Sequence, residues 1–113
     1  MVKIYIPEKG DLVWLEFSPQ SGHEQMGRRP AIIVSGSKFN LASGMCLACP
    51  ITNTKRNNPF RIDISQNSQL TGFIMVDQVK SLDYKSRKVL FIEKANKETV
   101  NDVLGLLDAI IFQ

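Results

Sequence analysis

Hydrophobic positions alternate with polar ones in short runs over most of the chain, then switch to a longer period near the end. Residues 11–17 are rich in strand formers; Leu12, Trp14 and Glu16 fall on one face, and Val13, Leu15 and Phe17 on the other. A second strand is predicted over 30–34, with Pro30 at its first residue, where a strand tolerates proline. Residues 44–52 are nearly all apolar, which predicts a third strand buried on both faces. Residues 60–64 alternate, with Phe60, Ile62 and Ile64 inward. The runs 72–79 and 88–92 predict a fifth and a sixth strand. From Val100 onward the spacing becomes three and four. Val103, Leu104, Leu107, Ile110 and Ile111 follow it, predicting a helix with one buried face. Asn96 suits its N-cap, and Glu98 sits near its positive end. Residues 37–42 predict one short helical turn. Short strands with one closing helix imply a mainly β fold: a small, curled antiparallel sheet or partly open barrel with the helix on one side.

The 113 residues are 43% hydrophobic and 22% charged, an ordinary globular balance that argues against disorder or a fibrous repeat. A chain this short reads as one domain, residues 1–113, since half of it would bury too little surface. The longest apolar runs, such as 31–34, fall far short of the roughly 20 residues of a membrane span. The first nine residues lack the apolar core of a signal peptide, so the expected location is the cytoplasm.

The net charge is only +3, but it is unevenly placed. Residues 1–61 carry eight basic against four acidic residues; residues 62–113 carry six against seven. Two predicted loops hold much of the excess. Residues 18–29 form a connection about twice the usual length and contain His23, Glu24, Arg28 and Arg29. Residues 53–59 are polar and free of acids, and carry Lys55 and Arg56. Local density of this kind, rather than the total charge, is what phosphate contacts need.

Arg29 precedes Pro30, which restrains its backbone. A guanidinium fixed at the root of a strand can grip two phosphate oxygens; equally, it can pair with Glu24 or Glu16. Thr52 ends the third strand, where its hydroxyl can donate to a phosphate or satisfy local backbone. His23, the only histidine, suits proton transfer or bracing of its loop. Asp77 and Gln78 interrupt an apolar run, as turn-holding or binding groups. Cys46 and Cys49 form a C-x-x-C on a strand, pointing to opposite faces. They read as two free, packed thiols rather than a redox or zinc pair. No metal-binding spacing is present, so any catalysis is expected to need neither metal nor other cofactor.

Several segments together resemble the MazF/PemK toxins of bacterial toxin–antitoxin systems. They are Gly10-Asp11-Leu12-Val13-Trp14, Gly22-His23-Glu24-Gln25, Gly27-Arg28-Arg29-Pro30-Ala31-Ile32-Ile33-Val34-Ser35, Gly44-Met45-Cys46-Leu47, Pro50-Ile51-Thr52 and Val76-Asp77-Gln78-Val79-Lys80-Ser81. The resemblance implies a homodimer with the SH3-like curled barrel of the CcdB/MazF type. It also implies a sequence-specific, metal-independent cut in single-stranded RNA, in which the ribose 2′-hydroxyl attacks the adjacent phosphorus and leaves a 2′,3′-cyclic phosphate and a 5′-hydroxyl. By the same resemblance Arg29 and Thr52 are the leading catalytic pair, and Glu24 is either the base or the group that orients Arg29. Arg28, Lys55, Arg56, His23, Asp77 and Gln78 are then RNA contacts, and the implied partner is an antitoxin with an acidic, disordered tail. One departure matters. PemK-like members carry an Arg two residues before the Asp of the D-Q segment, and here that residue is Met75, so Asp77 loses its acid–base partner. Two other readings compete: a CcdB-like toxin acting on a protein such as gyrase, and an RNA-binding barrel without catalysis.

Overall fold

In a computed structural model that describes residues 4–17, 27–65 and 68–113, the chain forms seven strands and two helices. The strands are β1 (Asp11–Glu16), β2 (Arg28–Ile33), β3 (Met45–Thr52), β4 (Arg61–Asp63), β5 (Phe73–Met75), β6 (Lys80–Asp83) and β7 (Leu90–Lys94). The helices are α1 (Ser37–Ser43) and α2 (Lys97–Phe112), with a 3-10 turn at Val76–Gln78. All strand pairs are antiparallel, in the order β4-β5-β3-β2-β1-β7, with β6 also on β3. The sheet curls without closing.

The alternation in β1 is read correctly from sequence. Leu12 joins the cluster beneath α2 with Ile32, Cys49, Ile51, Ile64, Ile74, Val76 and Val103. Val13, Leu15 and Phe17 join the opposite cluster with Ala31, Ile33, Cys46, Ala48, Leu82 and Tyr84. The sheet therefore carries a core on each face, and β1, β2 and β3 each contribute to both. Each fully buried aliphatic side chain contributes about 1.5–3 kcal/mol.

Four sequence expectations are corrected. β2 begins at Arg28, so Pro30 is its third residue, opposite Trp14. This is tolerated because the β2–β3 pairing starts only at Ala31, leaving the strand's other edge open at Pro30. The expected strand 72–79 is split. β3 pairs with β5 through Ile51 and Thr52, and with β6 through Met45 to Ala48. The 3-10 turn is the step between those two stretches of one edge. β6 itself lay in an unassigned segment. Phe60, expected inward, precedes β4 and is 39% exposed.

In α2, the Asn96 side chain accepts the Glu98 backbone N–H at 2.7 Å, the expected cap. Val103 is fully buried, but Ile111 is 67% exposed. The helix is about 24 Å long at roughly 1.5 Å per residue, and its apolar stripe outruns the short strands it covers.

Buried polar groups fix the ends of the elements. Asn40 of α1 donates to the Pro7 and Ser35 carbonyls at 2.8 and 3.2 Å and receives the Ser35 hydroxyl at 2.5 Å. Asp11 accepts from the Tyr5 hydroxyl, from the Glu8 backbone N–H and from Lys94. Among the described residues, no helix is long and apolar enough to cross a membrane.

Candidate active site

β2 and β3 lie side by side, and the candidate pair lies just beyond the end of their pairing. β2 and β3 pair as Ala31↔Pro50, Ile32↔Cys49 and Ile33↔Ala48. Arg29 and Thr52 each lie two residues beyond the last of these pairs, Ala31↔Pro50. Side chains two apart share a face, so both belong to the face of Ala31 and Ala48, just beyond the end of that core. Arg29 lies opposite Leu15 on the β1 side. Glu16 lies opposite Arg28, and so shares the face of Arg28 rather than that of Arg29.

Arg28 is exposed and donates to the Lys88 carbonyl at 3.3 Å, across the sheet from Thr52. Thr52 is only 5% exposed. Its hydroxyl accepts the Thr54 backbone N–H at 3.2 Å, which leaves its own hydrogen to donate. The Thr52 backbone pairs with Phe73. Glu24 and His23 lie outside the described residues.

The loop after Thr52 has its own scaffold. Asn53 accepts the Thr71 hydroxyl at 3.1 Å. Asn58 closes a turn, its side chain accepting the Phe60 N–H at 2.8 Å and its carbonyl the Arg61 N–H at 3.3 Å. Arg61 reaches back to donate to the Thr54 carbonyl at 3.1 Å. Lys55 and Arg56 stay exposed on the tip. Asp63 feels the Lys55 charge. Its carboxyl is held below the usual range first by the Ser65 backbone and side-chain hydrogen bonds, with the Lys55 charge adding to them.

Asp77 and Gln78 sit on the 3-10 turn beside β3. Asp77 is exposed; the Gln78 side-chain oxygen is buried without a hydrogen-bond partner. Met75, where PemK-like members carry Arg, is fully buried. Arg61, which lies opposite it across β4 and β5, is the residue sequence reasoning missed. Its outward place in the alternation marked it only as one more surface cation. Among the described residues, no three His, Cys, Asp or Glu side chains come together.

Cys46 and Cys49 are free, fully buried and on opposite faces, as expected. Burial pushes both thiols up to about 12, with the Asp77 charge adding to the effect at Cys49. Thiolate is the reactive form, so an alkylating reagent at pH 8 is expected to label neither in the folded protein and both after unfolding. Stability attributable to these thiols is intact below the ordinary thiol value of 9.0 and lost as pH rises towards 12. In that window unfolded thiols release protons that folded ones keep, at up to about 1.4 kcal/mol per pH unit for each. A urea titration series at pH 8, 9 and 10 checks this; a flat midpoint would exclude it.

Residues 8–111 match the family model described as the PemK-like, MazF-like toxin of type II toxin–antitoxin systems. The chain is 40% identical over 87 residues to the endoribonuclease toxin MazF of Escherichia coli K12, covering 77% of this chain and 78% of that one. It is 37% identical to the endoribonuclease toxin ChpB of the same strain, over 98% of this chain and 99% of that one. The crystal structure of MazF from Deinococcus radiodurans superposes with a TM-score of 0.91 at 35% identity, covering 97% of this chain and all of that one. A MazE–MazF crystal structure from the same organism gives a TM-score of 0.85 at 36% identity, covering 96% and 97%. With the curled seven-stranded sheet, the closing helix and the motifs at the ends of β2 and β3 in place, the chain belongs to the PemK-like, MazF-like toxins of type II toxin–antitoxin systems.

Proposed function

We propose that the protein is a sequence-specific endoribonuclease toxin that cuts single-stranded RNA without a metal ion. The observation carrying this reading is that Arg29 and Thr52 both lie two residues beyond the last β2–β3 pair, with the basic loop of Lys55 and Arg56 following Thr52. The ribose 2′-hydroxyl is the nucleophile, which explains a preference for RNA over DNA. Attack on the adjacent phosphorus builds negative charge on the non-bridging oxygens. The 5′-oxygen then leaves with a proton, giving a 2′,3′-cyclic phosphate and a 5′-hydroxyl. Arg29 stabilises the developing charge, and the Thr52 hydroxyl donates to the same phosphate. Glu24 takes the first proton or orients Arg29. Asp77 and Gln78 serve as loop or RNA contacts. Lys55, Arg56, Arg28 and His23 bind the RNA strand.

The reading includes a cognate antitoxin, supported by the complex that the D. radiodurans MazF forms with MazE. An acidic, disordered tail would fold onto the basic groove and displace RNA. It also includes a homodimer in the cytoplasm. Exposed Ile4 and Leu41 on a groove of about 470 Å³, lined also by Ile6, Met45 and Tyr84, support burial against a second copy.

The test is incubation of purified protein with one long single-stranded transcript in EDTA, followed by mapping of the ends. Discrete fragments with 5′-hydroxyl termini are expected. Protection without cleavage would leave an RNA-binding barrel, and neither effect would leave a protein-directed toxin.

A further inference from the structure

We infer that Arg61 is a positioning residue for the candidate cleavage site, acting on Thr52 through the backbone of Thr54. This rests on the nuclease reading above. The Arg61 guanidinium donates through Nη1 to the Thr54 carbonyl at 3.1 Å. The N–H of that same residue donates to the Thr52 hydroxyl oxygen at 3.2 Å. One residue is thus held from both its polar backbone groups. Arg61 fixes its carbonyl, and its N–H occupies one lone pair of Thr52 and so limits where the hydroxyl hydrogen points. A hydroxyl aimed in advance gives more to a developing oxyanion than one free to rotate.

The position of Arg61 makes it a firm anchor. It lies on β4 directly opposite Met75 of β5, and opposed side chains share a face. Met75 is fully buried, so the Arg61 stem runs beside a packed neighbour while its head reaches the loop. Its Nε is buried with no hydrogen-bond partner. An orphaned donor costs stability, which offsets part of what that packing contributes. Lys55 and Arg56 follow Thr54 immediately, so the same anchor also sets where the basic tip begins.

The test compares Arg61→Met, Arg61→Lys, Thr52→Ala and the double variant Thr52→Ala/Arg61→Met in full-length protein. Arg61→Met is expected to lower kcat for RNA cleavage about tenfold, the size of one lost bond from a charged donor, with KM within about twofold. Arg61→Lys, which can still reach one carbonyl, is expected to recover part of the loss. In the Thr52→Ala background the Arg61 change is expected to add nothing, because the hydroxyl it aims is gone. Additive losses, or wild-type kcat in Arg61→Met, overturn the inference. The Thr54 amide gives a readout independent of activity: its exchange, followed by NMR, is expected to quicken about tenfold in Arg61→Met. If wild-type protein cleaves no RNA, the nuclease reading fails. The amide measurement then decides alone whether Arg61 holds Thr54, and an unchanged amide overturns it.

Discussion

Arg29→Ala is expected to lower RNA turnover by roughly two to three decades while the protein melts within a few degrees of wild type. The magnitude follows from the role. A donor aimed at charge that develops only in the transition state is worth about 2.7–4 kcal/mol. Alanine keeps the backbone that Arg29 sets opposite Leu15 in the β1–β2 ladder. Arg29→Lys discriminates further. It preserves the charge but not the planar fork, so an intermediate rate is expected. Turnover within about threefold of wild type in Arg29→Ala would remove Arg29 from the mechanism.

Gly72→Ala should damage fold and site together. Gly72 has φ +132°, a conformation that L side chains rarely adopt. A Cβ there would sit 2.8 Å from the Thr52 carbonyl oxygen, 3.0 Å from Ile51 Cγ2 and 3.2 Å from Asn53 Oδ1. The first of these is backbone in a ladder and cannot swing aside. Strained φ alone costs about 1–3 kcal/mol, and the clash adds to it. A loss of about 2–4 kcal/mol is expected, seen as a lower denaturation midpoint. Thr52 and Asn53 are the residues that must shift, so turnover should also fall in the fraction that remains folded. Wild-type stability in Gly72→Ala would show that the end of β3 yields more easily than its geometry implies.

These two substitutions probe the same place from opposite sides. One removes a charge from the end of β2. The other pushes a methyl group against the end of β3. Arg29 and Thr52 lie just beyond the last β2–β3 pair, next to residues of the second core. Thr52 is 5% exposed, and its hydroxyl accepts the N–H of Thr54, whose carbonyl Arg61 holds. Shelter strengthens a hydrogen bond to an anion, because the local dielectric is low.

The chain's own pattern was enough for the closing helix, its Asn96 cap, the two-faced burial of β3 and the free, opposed thiols. Each depends on spacing between near neighbours, and period and caps are local properties. The motif that marks Arg29 and Thr52 was also visible as residues. Their place just beyond the end of one ladder was not, because it depends on a register between strands some twenty residues apart. The step at Val76–Gln78 escaped for a related reason. Residues 72–79 are apolar enough to run on as one strand, and only the bending of β3, with β5 on one stretch of its edge and β6 on another, breaks them. Arg61 shows the same division. Alternation placed its side chain outward, but a guanidinium is long enough to turn back over a loop. Which carbonyl it finds is fixed by where β4 lies against β5, a fact of the assembled sheet rather than of the chain.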